Sequence, residues 1–283
     1  MIRIVRPGPL TTVQDLGRPG YLALGVGTSG AADRQSLRLA NRLVGNAESA
    51  AGLEATFGGL SMVFLEPATI ALTGAPVPAV LGGRPVSMNS PISVPSGAKL
   101  ELGRPSEGMR TYLAVRGGLD VPEVLGSRST DVLSGLGPPK VAAGDVFPFG
   151  SATVGPPNVD LAPVPRLPIE PVLRVVAGPR DDWFASLRPL LTGRYEVSPD
   201  SNRVGVRLRG SALERVRSGE LPSEGMVTGS LQVPPDGQPV LFLADHPVTG
   251  GYPVAAVVCS ADISLAAQLR PGQSVRFRLT TAH

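Results

Sequence analysis

The sequence predicts a mainly β protein, a β-rich α+β fold made of short strands. The chain has 283 residues, of which 35 are glycine and 30 are proline, spread along its whole length. Such frequent turns favour short strands over long helices. Short runs rich in valine, leucine, isoleucine and threonine recur between the turns, whereas a clear helical pattern occurs once, early in the chain.

The predicted strands are short and bounded by turn residues. Weaker helical patterns run from Asp181 to Leu187 and from Asp262 to Leu269. In chain order, the predicted strands are Arg3–Val5, Leu60–Phe64, Thr69–Thr73, Lys99–Leu102, Thr111–Val115, Leu173–Val176, Gly205–Leu208, Val240–Leu243, Val254–Cys259 and Ser274–Leu279.

The clearest helix is predicted from about Ala31 to Val44. Leu37 and Ala40 would lie on one face, and Asp33 would lie near the positive N-terminus. Gly45 follows the last periodic residue and is suited to the C′ position, which favours glycine.

A proline-rich segment divides the chain into two halves. Residues 154–171 read VGPPNVDLAPVPRLPIEP, which is typical of a semi-rigid connector. We therefore predict domains at residues 1–160 and 161–283. Both halves contain Thr-Gly followed by a Gly-x-Pro-Val phrase, beginning at Thr73 and Thr228. An ancient duplication would explain this echo, and so would chance in a chain rich in glycine and proline.

Composition excludes several classes of protein. Hydrophobic residues make up 42% and charged residues 17% of the chain, which indicates a globular protein. The net charge is +3 and the basic residues are dispersed, so no nucleic-acid partner is expected. The longest apolar stretch, residues 69–83, is broken by proline and glycine, so no membrane span is expected. With one cysteine and no signal-peptide pattern, we expect a cytoplasmic location.

The rare reactive residues exclude some chemistry. Lys99 and Lys140 are the only lysines and neither completes a P-loop, so no Walker A site is present. One cysteine and two histidines cannot form a structural zinc site, whereas magnesium held by carboxylates remains open. Cys259 lies in an apolar run and is expected to be a buried, inert thiol. No G-x-S-x-G nucleophile elbow with plausible partners is present, which disfavours self-contained nucleophilic hydrolysis.

Residues 25–30 match the pattern G-x-G-x-x-G just before the predicted helix. A dinucleotide-binding fold needs alternating strands and helices, and the first half supplies one good helix, so we disfavour such a site. Two readings remain open. Backbone amides at the helix start could hold a carboxylate or phosphate, or the segment is a tight turn capped by Ser29.

Other polar segments are candidates for binding and catalysis. Residues 126–130, GSRST, combine hydroxyls, backbone amides and one guanidinium, which suits an anion site or a solvated turn. His246 is the only histidine besides His283, so an imidazole acid-base step would use it; a structural role is the alternative.

Many of these residues together resemble one known family, which comprises the C subunit of 5-oxoprolinase, allophanate hydrolase subunit 2 and KipA-like proteins. The resemblance spans nearly the whole chain. It rests on Thr11–Asp15, Gly17, Arg18, Gly20, Gly25, Val26, Ser29–Ala31, Asp33, Ala40, Asn41, Gly45, Asn46, Glu54, Tyr112–Ala114, Gly117, Gly118, Leu125–Thr130, Ser201–Arg203, Gly205, Ser223–Gly225, Gly229, Gln232 and Thr249–Pro253.

The resemblance implies a cyclophilin-like β-barrel in each half and a complex with a KipI-like B subunit, with an A subunit as a further partner. The implied reaction is ATP-dependent opening of 5-oxo-L-proline to L-glutamate, with ATP bound through the assembly and Mg²⁺ as an open further cofactor. One alternative is a carboxyltransferase component of the allophanate hydrolase or urea carboxylase type, which alone would require biotin. The other is a non-catalytic KipA-like antagonist of a KipI-like kinase inhibitor.

One phrase departs from the family pattern. Family members commonly have Asp-Arg-Gln-Thr-Thr-Gly-Gly-Tyr-Pro, whereas this chain has Asp245-His246-Pro247-Val248-Thr249 at its beginning. The change removes a charge and amide donors, so it bears on the substrate.

We predict an anion-handling cleft in which arginines hold a carboxylate or phosphate bidentately. Replacing Arg18 or Arg203 by alanine is expected to abolish activity without unfolding the chain. No metal ligand is predicted. The candidate catalytic residues are Asp15, Asp200, Glu224, Asp245 and His246. The candidate residues for binding substrate or anions are Arg18, Ser29, Gly30, Asp33, Arg128, Ser129, Arg203, Gln232, Thr249 and Tyr252.

Overall fold

The computed structural model describes residues 1–217, 219 and 221–281, so His283 lies outside the described residues. The chain forms two compact units: Met1–Arg18 with Ser29–Arg166, and Pro19–Thr28 with Leu167–His283. The boundary predicted after residue 160 falls within residues 151–170, which contain neither helix nor strand. The grouping of residues 19–28 with the second unit has no counterpart among the sequence predictions.

The first unit contains two sheets. The six-stranded sheet has the order β11-β1-β4-β9-β6-β7, and the five-stranded sheet has the order β2-β3-β10-β5-β8. The elements of this unit are β1 (Ile2–Pro7), β2 (Leu10–Gln14), α1 (Arg34–Leu43), β3 (Gly52–Thr56), β4 (Leu60–Phe64), β5 (Ala68–Gly74), β6 (Ala79–Leu81), β7 (Arg84–Pro85), β8 (Pro91–Val94), β9 (Lys99–Leu102), β10 (Arg110–Val115) and β11 (Val146–Phe147).

The core of the first unit follows the two-residue period of its strands. In β1, Ile2 and Ile4 are buried while Arg3 and Val5 are exposed, because successive side chains point to opposite faces. Strands β3 and β10 are buried almost throughout, since they lie in the middle of the five-stranded sheet. Side chains from both sheets therefore pack into one core.

Helix α1 starts three residues after the predicted Ala31, at Arg34. The side chain of Asp33 caps it by accepting a 3.0 Å hydrogen bond from the backbone N–H of Ser36. The proposed capping by Ser29 is therefore wrong. Gly45 has a positive φ of 75° just after the helix, which confirms its predicted role at the C-terminus.

The second unit is a closed barrel of seven strands in the order β12-β19-β16-β17-β14-β13-β20, with a two-stranded sheet β15-β18. The elements of this unit are β12 (Val172–Ala177), α2 (Arg188–Thr192), β13 (Tyr195–Val197), β14 (Gly205–Arg209), β15 (Glu224–Gly225), β16 (Ser230–Gln232), β17 (Val240–Phe242), β18 (Thr249–Gly250), β19 (Val254–Val258), α3 (Ile263–Ala266) and β20 (Ser274–Leu279).

The mainly β fold predicted from the sequence is confirmed, and each predicted strand coincides with an observed one. The weaker helices are much shorter than predicted. The chain forms a 3₁₀ turn at Asp181–Trp183 in place of the first, and α3 covers Ile263–Ala266 in place of the second. Cys259 follows β19 and is partly exposed, so the expectation of a buried thiol is wrong. In the described part of the chain, no helix has the length and apolar character needed to cross a membrane.

Candidate functional site

Two loops of the first unit are joined at Asp15, which follows β2. One carboxylate oxygen accepts hydrogen bonds from Ser127 Oγ at 2.7 Å, Ser129 Oγ at 2.5 Å and the Gly17 amide at 2.7 Å. The other oxygen accepts from the backbone amide of Arg128 at 2.6 Å. These donors use most of the acceptor capacity of the carboxylate. Asp15 therefore acts as an anchor that holds the GSRST loop against the end of β2.

Arg18 is buried beside this anchor, with 1% of its surface exposed. Its Nη2 donates to the carbonyl oxygen of Ser129 at 2.5 Å, and its Nε lies 3.4 Å from the carbonyl oxygen of Val124. Nη1 has no hydrogen-bond partner among the described residues. A buried guanidinium without a counter-ion is costly, so Arg18 is the arginine of this unit best suited to receive an anion. Nη1 is itself buried, so an anion could reach it only after neighbouring protein atoms had moved aside.

The predicted Ser29 and Gly30 form a tight turn within the first unit. Both have positive φ, 52° for Ser29 and 96° for Gly30. A Cβ on Gly30 would come within 2.8 Å of the backbone nitrogen of Gly17, so glycine is required there. The Ser29 hydroxyl lies 3.4 Å from the carbonyl oxygen of Thr130. This turn thus packs against the Asp15 loops and precedes α1 without forming its N-terminus.

Two of the predicted anion-binding residues are already engaged by their neighbours. Asp33 caps α1, and its second oxygen accepts from Ser36 Oγ at 2.6 Å. The Arg128 guanidinium lies 2.6 Å from Glu123 and 3.6 Å from Asp120. Both side chains therefore make structural contacts with residues that are near them in the sequence.

A buried polar group that the sequence predictions missed lies next to α1. Tyr112 donates to Glu54 Oε2 at 2.7 Å and accepts from the Asp33 amide at 2.8 Å. The same oxygen of Glu54 accepts from the Ala32 amide at 3.0 Å, and Arg110 Nε lies 3.5 Å from its other oxygen. Burial, followed by the charge of Glu54, raises the pKa of Tyr112 well above its usual value. In the sequence, this group could have been suspected because Glu54 and Tyr112 each lie in an otherwise apolar segment.

In the second unit, Arg203 and Asp245 form a buried bidentate ion pair. Arg203 Nε lies 2.8 Å from one carboxylate oxygen and Nη2 lies 3.0 Å from the other. The side chains are 1% and 0% exposed. The Asp245 amide also donates to the Arg203 carbonyl oxygen at 3.1 Å. Because the partners satisfy one another in the interior, Arg203→Ala should destabilise the fold, contrary to the expectation that folding would stay intact.

His246 directly follows Asp245 in the chain and is 7% exposed. Its ring stacks on Phe242 at 5.8 Å between centroids and 10° between planes. Nδ1 lies 2.7 Å from the carbonyl oxygen of Pro247. A carbonyl oxygen only accepts, so Nδ1 carries a proton and donates. The segment in which this chain departs from the family pattern therefore contains a histidine whose ring is packed and held in one orientation.

Gln232 and Tyr252 lie together beside the sheet formed by β15 and β18. Gln232 Nε2 donates to the carbonyl oxygen of Tyr252 at 3.2 Å. A Cβ on Gly250 would come within 2.4 Å of the same nitrogen, so any side chain there would displace Gln232. The Tyr252 side chain is 45% exposed and has the Arg215 guanidinium 5.7 Å from its ring centroid. Thr249 is exposed in β18.

Glu224 of β15 pairs with Arg180. Both carboxylate oxygens accept from that guanidinium, and these hydrogen bonds hold the pKa of Glu224 below its usual value. The residues are 44 positions apart, so no local pattern indicated the partner. Glu224 is thus an ionised, paired carboxylate.

Asp200 lies on the surface of the second unit, with a side chain 72% exposed. One of its oxygens is 3.2 Å from Ser198 Oγ and 3.8 Å from Arg209 Nη2. It lines a cavity of about 170 Å³ that Arg207 and Asp236 also line. Its contacts therefore differ from those of the other predicted catalytic carboxylates.

The predicted site residues fall into separate groups. Asp15, Arg18 and Ser129 meet in the first unit, whereas Arg203 contacts Asp245 in the second. Within the described residues, no three metal-binding side chains converge on one point.

Comparison with known proteins identifies the family. Residues 24–279 match the family model described as carboxyltransferase domain, subdomain A and B. The chain belongs to this family. The match covers most of both compact units, so the carboxyltransferase domain comprises the two together.

Three relatives illustrate this carboxyltransferase domain. The 5-oxoprolinase C subunit of Escherichia coli (strain K12) is 39% identical over 98% of this chain and 90% of its own length. Urea amidolyase of Lachancea kluyveri is 36% identical over 97% of this chain but only 16% of its own length. The crystal structure of the K. lactis urea amidolyase matches 99% of this chain and 19% of that one, with a TM-score of 0.93 and 33% identity. In the amidolyases, this domain is therefore a small part of a longer polypeptide.

Proposed function

We propose that the chain is a subunit of a multi-subunit, ATP-dependent 5-oxoprolinase that converts 5-oxo-L-proline to L-glutamate. The observation that carries this proposal is the identity of 39% with the 5-oxoprolinase C subunit over 98% of this chain and 90% of that protein. The match extends over both compact units of this chain. The enzymatic activity would belong to the assembly with a KipI-like B subunit and an A subunit.

ATP is proposed to bind through the assembly. Neither Lys99 nor Lys140 completes a P-loop in this chain, so the nucleotide is not expected to bind in a Walker A site here. Magnesium would then be held by phosphate oxygens and carboxylates of the assembly, as it prefers few protein ligands.

Within this chain, Arg18 is the proposed holder of an anionic group. Its guanidinium has an unpartnered Nη1 in the described structure, and the carboxylate of 5-oxo-L-proline would supply the missing charge. Asp15 and Ser129 would position it, since the carbonyl oxygen of Ser129 holds Nη2 while its hydroxyl is bound to Asp15. The proposed role of Arg203 and Asp245 is to keep the barrel wall rigid beside His246.

The test is to co-purify the chain with its B and A subunits and to measure ADP release that depends on 5-oxo-L-proline. Turnover is expected in the assembly and a loss of at least tenfold with Arg18→Ala. Arg84→Ala, an exposed arginine of β7, is the matched control and should retain full activity. If the subunits assemble but no substrate-dependent ADP appears, the proposal is wrong and the non-catalytic regulator is favoured.

A second candidate, a biotin-dependent carboxyltransferase, is favoured by the match to urea amidolyase at 36% identity. It predicts that activity requires a biotinylated partner and is lost when avidin is added. The 5-oxoprolinase proposal predicts no effect of avidin, so the same preparation distinguishes the two.

A further inference from the structure

The surface cavity of the second unit carries charges of both signs. Arg207 and Arg209 lie on its wall, and so do Asp200 and Asp236. In β14 the apolar Val206 points inward while the two arginines point outward, as the strand period requires. The sequence thus places both arginines on one face, with their Cα atoms roughly 6.8 Å apart along the strand.

Among the residues that the structure describes, neither Arg207 nor Arg209 has a close ion-pair partner. Arg209 has a contact of 3.8 Å with Asp200, and both side chains are about 70% exposed (69% and 72%). Arg207 is exposed and forms no ion pair with any residue in the described ranges. Exposed pairs at such distances contribute little. Both guanidinium groups can therefore turn toward a ligand carboxylate, which guanidinium binds well in a bidentate manner.

The acidic side of the cavity can receive a cation. One oxygen of Asp236 accepts a hydrogen bond from the Gln238 backbone amide at 3.0 Å. Among the described residues, the Asp200 carboxylate accepts a weak hydrogen bond from Ser198 Oγ at 3.2 Å besides its contact with Arg209. Each carboxylate keeps acceptor capacity, since an ionised carboxylate has about four acceptor sites. A ligand ammonium group would match these oxygens.

The size and the floor of the cavity define the rest of the ligand. Its volume of about 170 Å³ suits a small ligand such as a single amino acid. Pro234 and Val240 are part of the lining and are partly exposed, so they offer an apolar surface to a short side chain.

We propose that this cavity is a binding site for a free zwitterionic amino acid, with its carboxylate on Arg207 and Arg209 and its ammonium on Asp200 and Asp236. The site does not depend on the proposed reaction, because it needs no partner subunit and no ATP. Since all four side chains are exposed or border solvent, binding weakens as salt screens the charges.

The test is isothermal titration calorimetry of the full chain with L-proline, L-glutamate and 5-oxo-L-proline. L-Proline and 5-oxo-L-proline share the ring and the carboxylate, but only L-proline has an ammonium. L-Proline and L-glutamate are expected to bind, and 5-oxo-L-proline at least tenfold more weakly. Arg207→Ala and Asp236→Asn should each lower the affinity for L-proline at least tenfold.

Arg84→Ala of the first unit is the control and should bind L-proline like the unchanged chain. Far-UV circular dichroism checks that every variant is folded. The proposal is overturned if no amino acid binds, if 5-oxo-L-proline binds as well as L-proline, or if neither cavity variant lowers the affinity. All three results are read without enzyme turnover, so they leave the 5-oxoprolinase proposal untouched.

Discussion

Removing one charge of the buried Arg203–Asp245 pair should greatly lower the free energy of unfolding of the barrel. In Asp245→Asn the Arg203 guanidinium, 1% exposed, keeps its charge but loses the opposite charge and one of its two acceptor oxygens, because the amide nitrogen of asparagine only donates. Breaking a buried pair by removing one partner costs about 3–5 kcal/mol. With a urea m-value of about 2 kcal/mol/M, the unfolding midpoint should fall by roughly 1.5–2.5 M.

Trp183 provides the assay, because it is the single tryptophan and lies in the core of the second unit. Urea unfolding followed by its fluorescence reports on the barrel that contains the pair. Asp200→Asn is the matched control. It removes an aspartate from an exposed contact with Arg209 and should cost less than about 1 kcal/mol.

The double variant Arg203→Met with Asp245→Leu sharpens the test. Replacing both buried charges by apolar residues is often neutral, so the double variant should be more stable than Asp245→Asn alone. The reasoning is refuted if Asp245→Asn lowers the free energy of unfolding no more than Asp200→Asn does. It is also refuted if the double variant loses as much stability as Arg203→Met and Asp245→Leu lose together when each is made alone.

Three further predictions concern other polar contacts. Asp15→Asn should lower the thermal midpoint measured by circular dichroism, with a cost of roughly 1–3 kcal/mol, because donors now facing its carboxylate lose an acceptor; an unchanged midpoint would contradict the anchor role. Tyr112→Phe should cost about 1–3 kcal/mol at pH 8, and this cost should shrink above pH 10, because the raised pKa of Tyr112 stabilises the fold below its unfolded pKa and that stability is lost as pH rises. Hydrogen bonds from Arg174 lower the pKa of Asp262, so the ionised carboxylate stabilises the fold at neutral pH and this contribution is lost as pH falls below about 4. Asp262→Asn should therefore be less stable than the unchanged chain at pH 7, and the difference should shrink at pH 3; urea midpoints at both pH values check this.

The strands were predictable where alternation is visible. Leu60–Phe64 and Ser274–Leu279 have the predicted bounds, because each is a short run between turn residues. Strand β2, Leu10–Gln14, was missed because its polar threonines and glutamine are buried. Burial of both faces removes the two-residue signal on which the prediction depends.

The site was less accessible to sequence reasoning, because its contacts are long-range. Arg203 and Asp245 are 42 residues apart and are brought together by the pairing of β14 with β17. Both residues could be predicted as candidates, because they are polar residues between apolar strands. That they pair with each other could not be predicted, since strand order in a barrel is fixed by the whole fold.

The grouping of Pro19–Thr28 with the second unit has a consequence for synthesis. During translation this segment leaves the ribosome long before the rest of its unit, which begins at Leu167. It cannot pack with its own unit until that later part of the chain has been made. A gene fragment encoding residues 167–283 would lack this piece, so a free-standing second unit requires the segment to be supplied separately or spliced to the fragment by circular permutation.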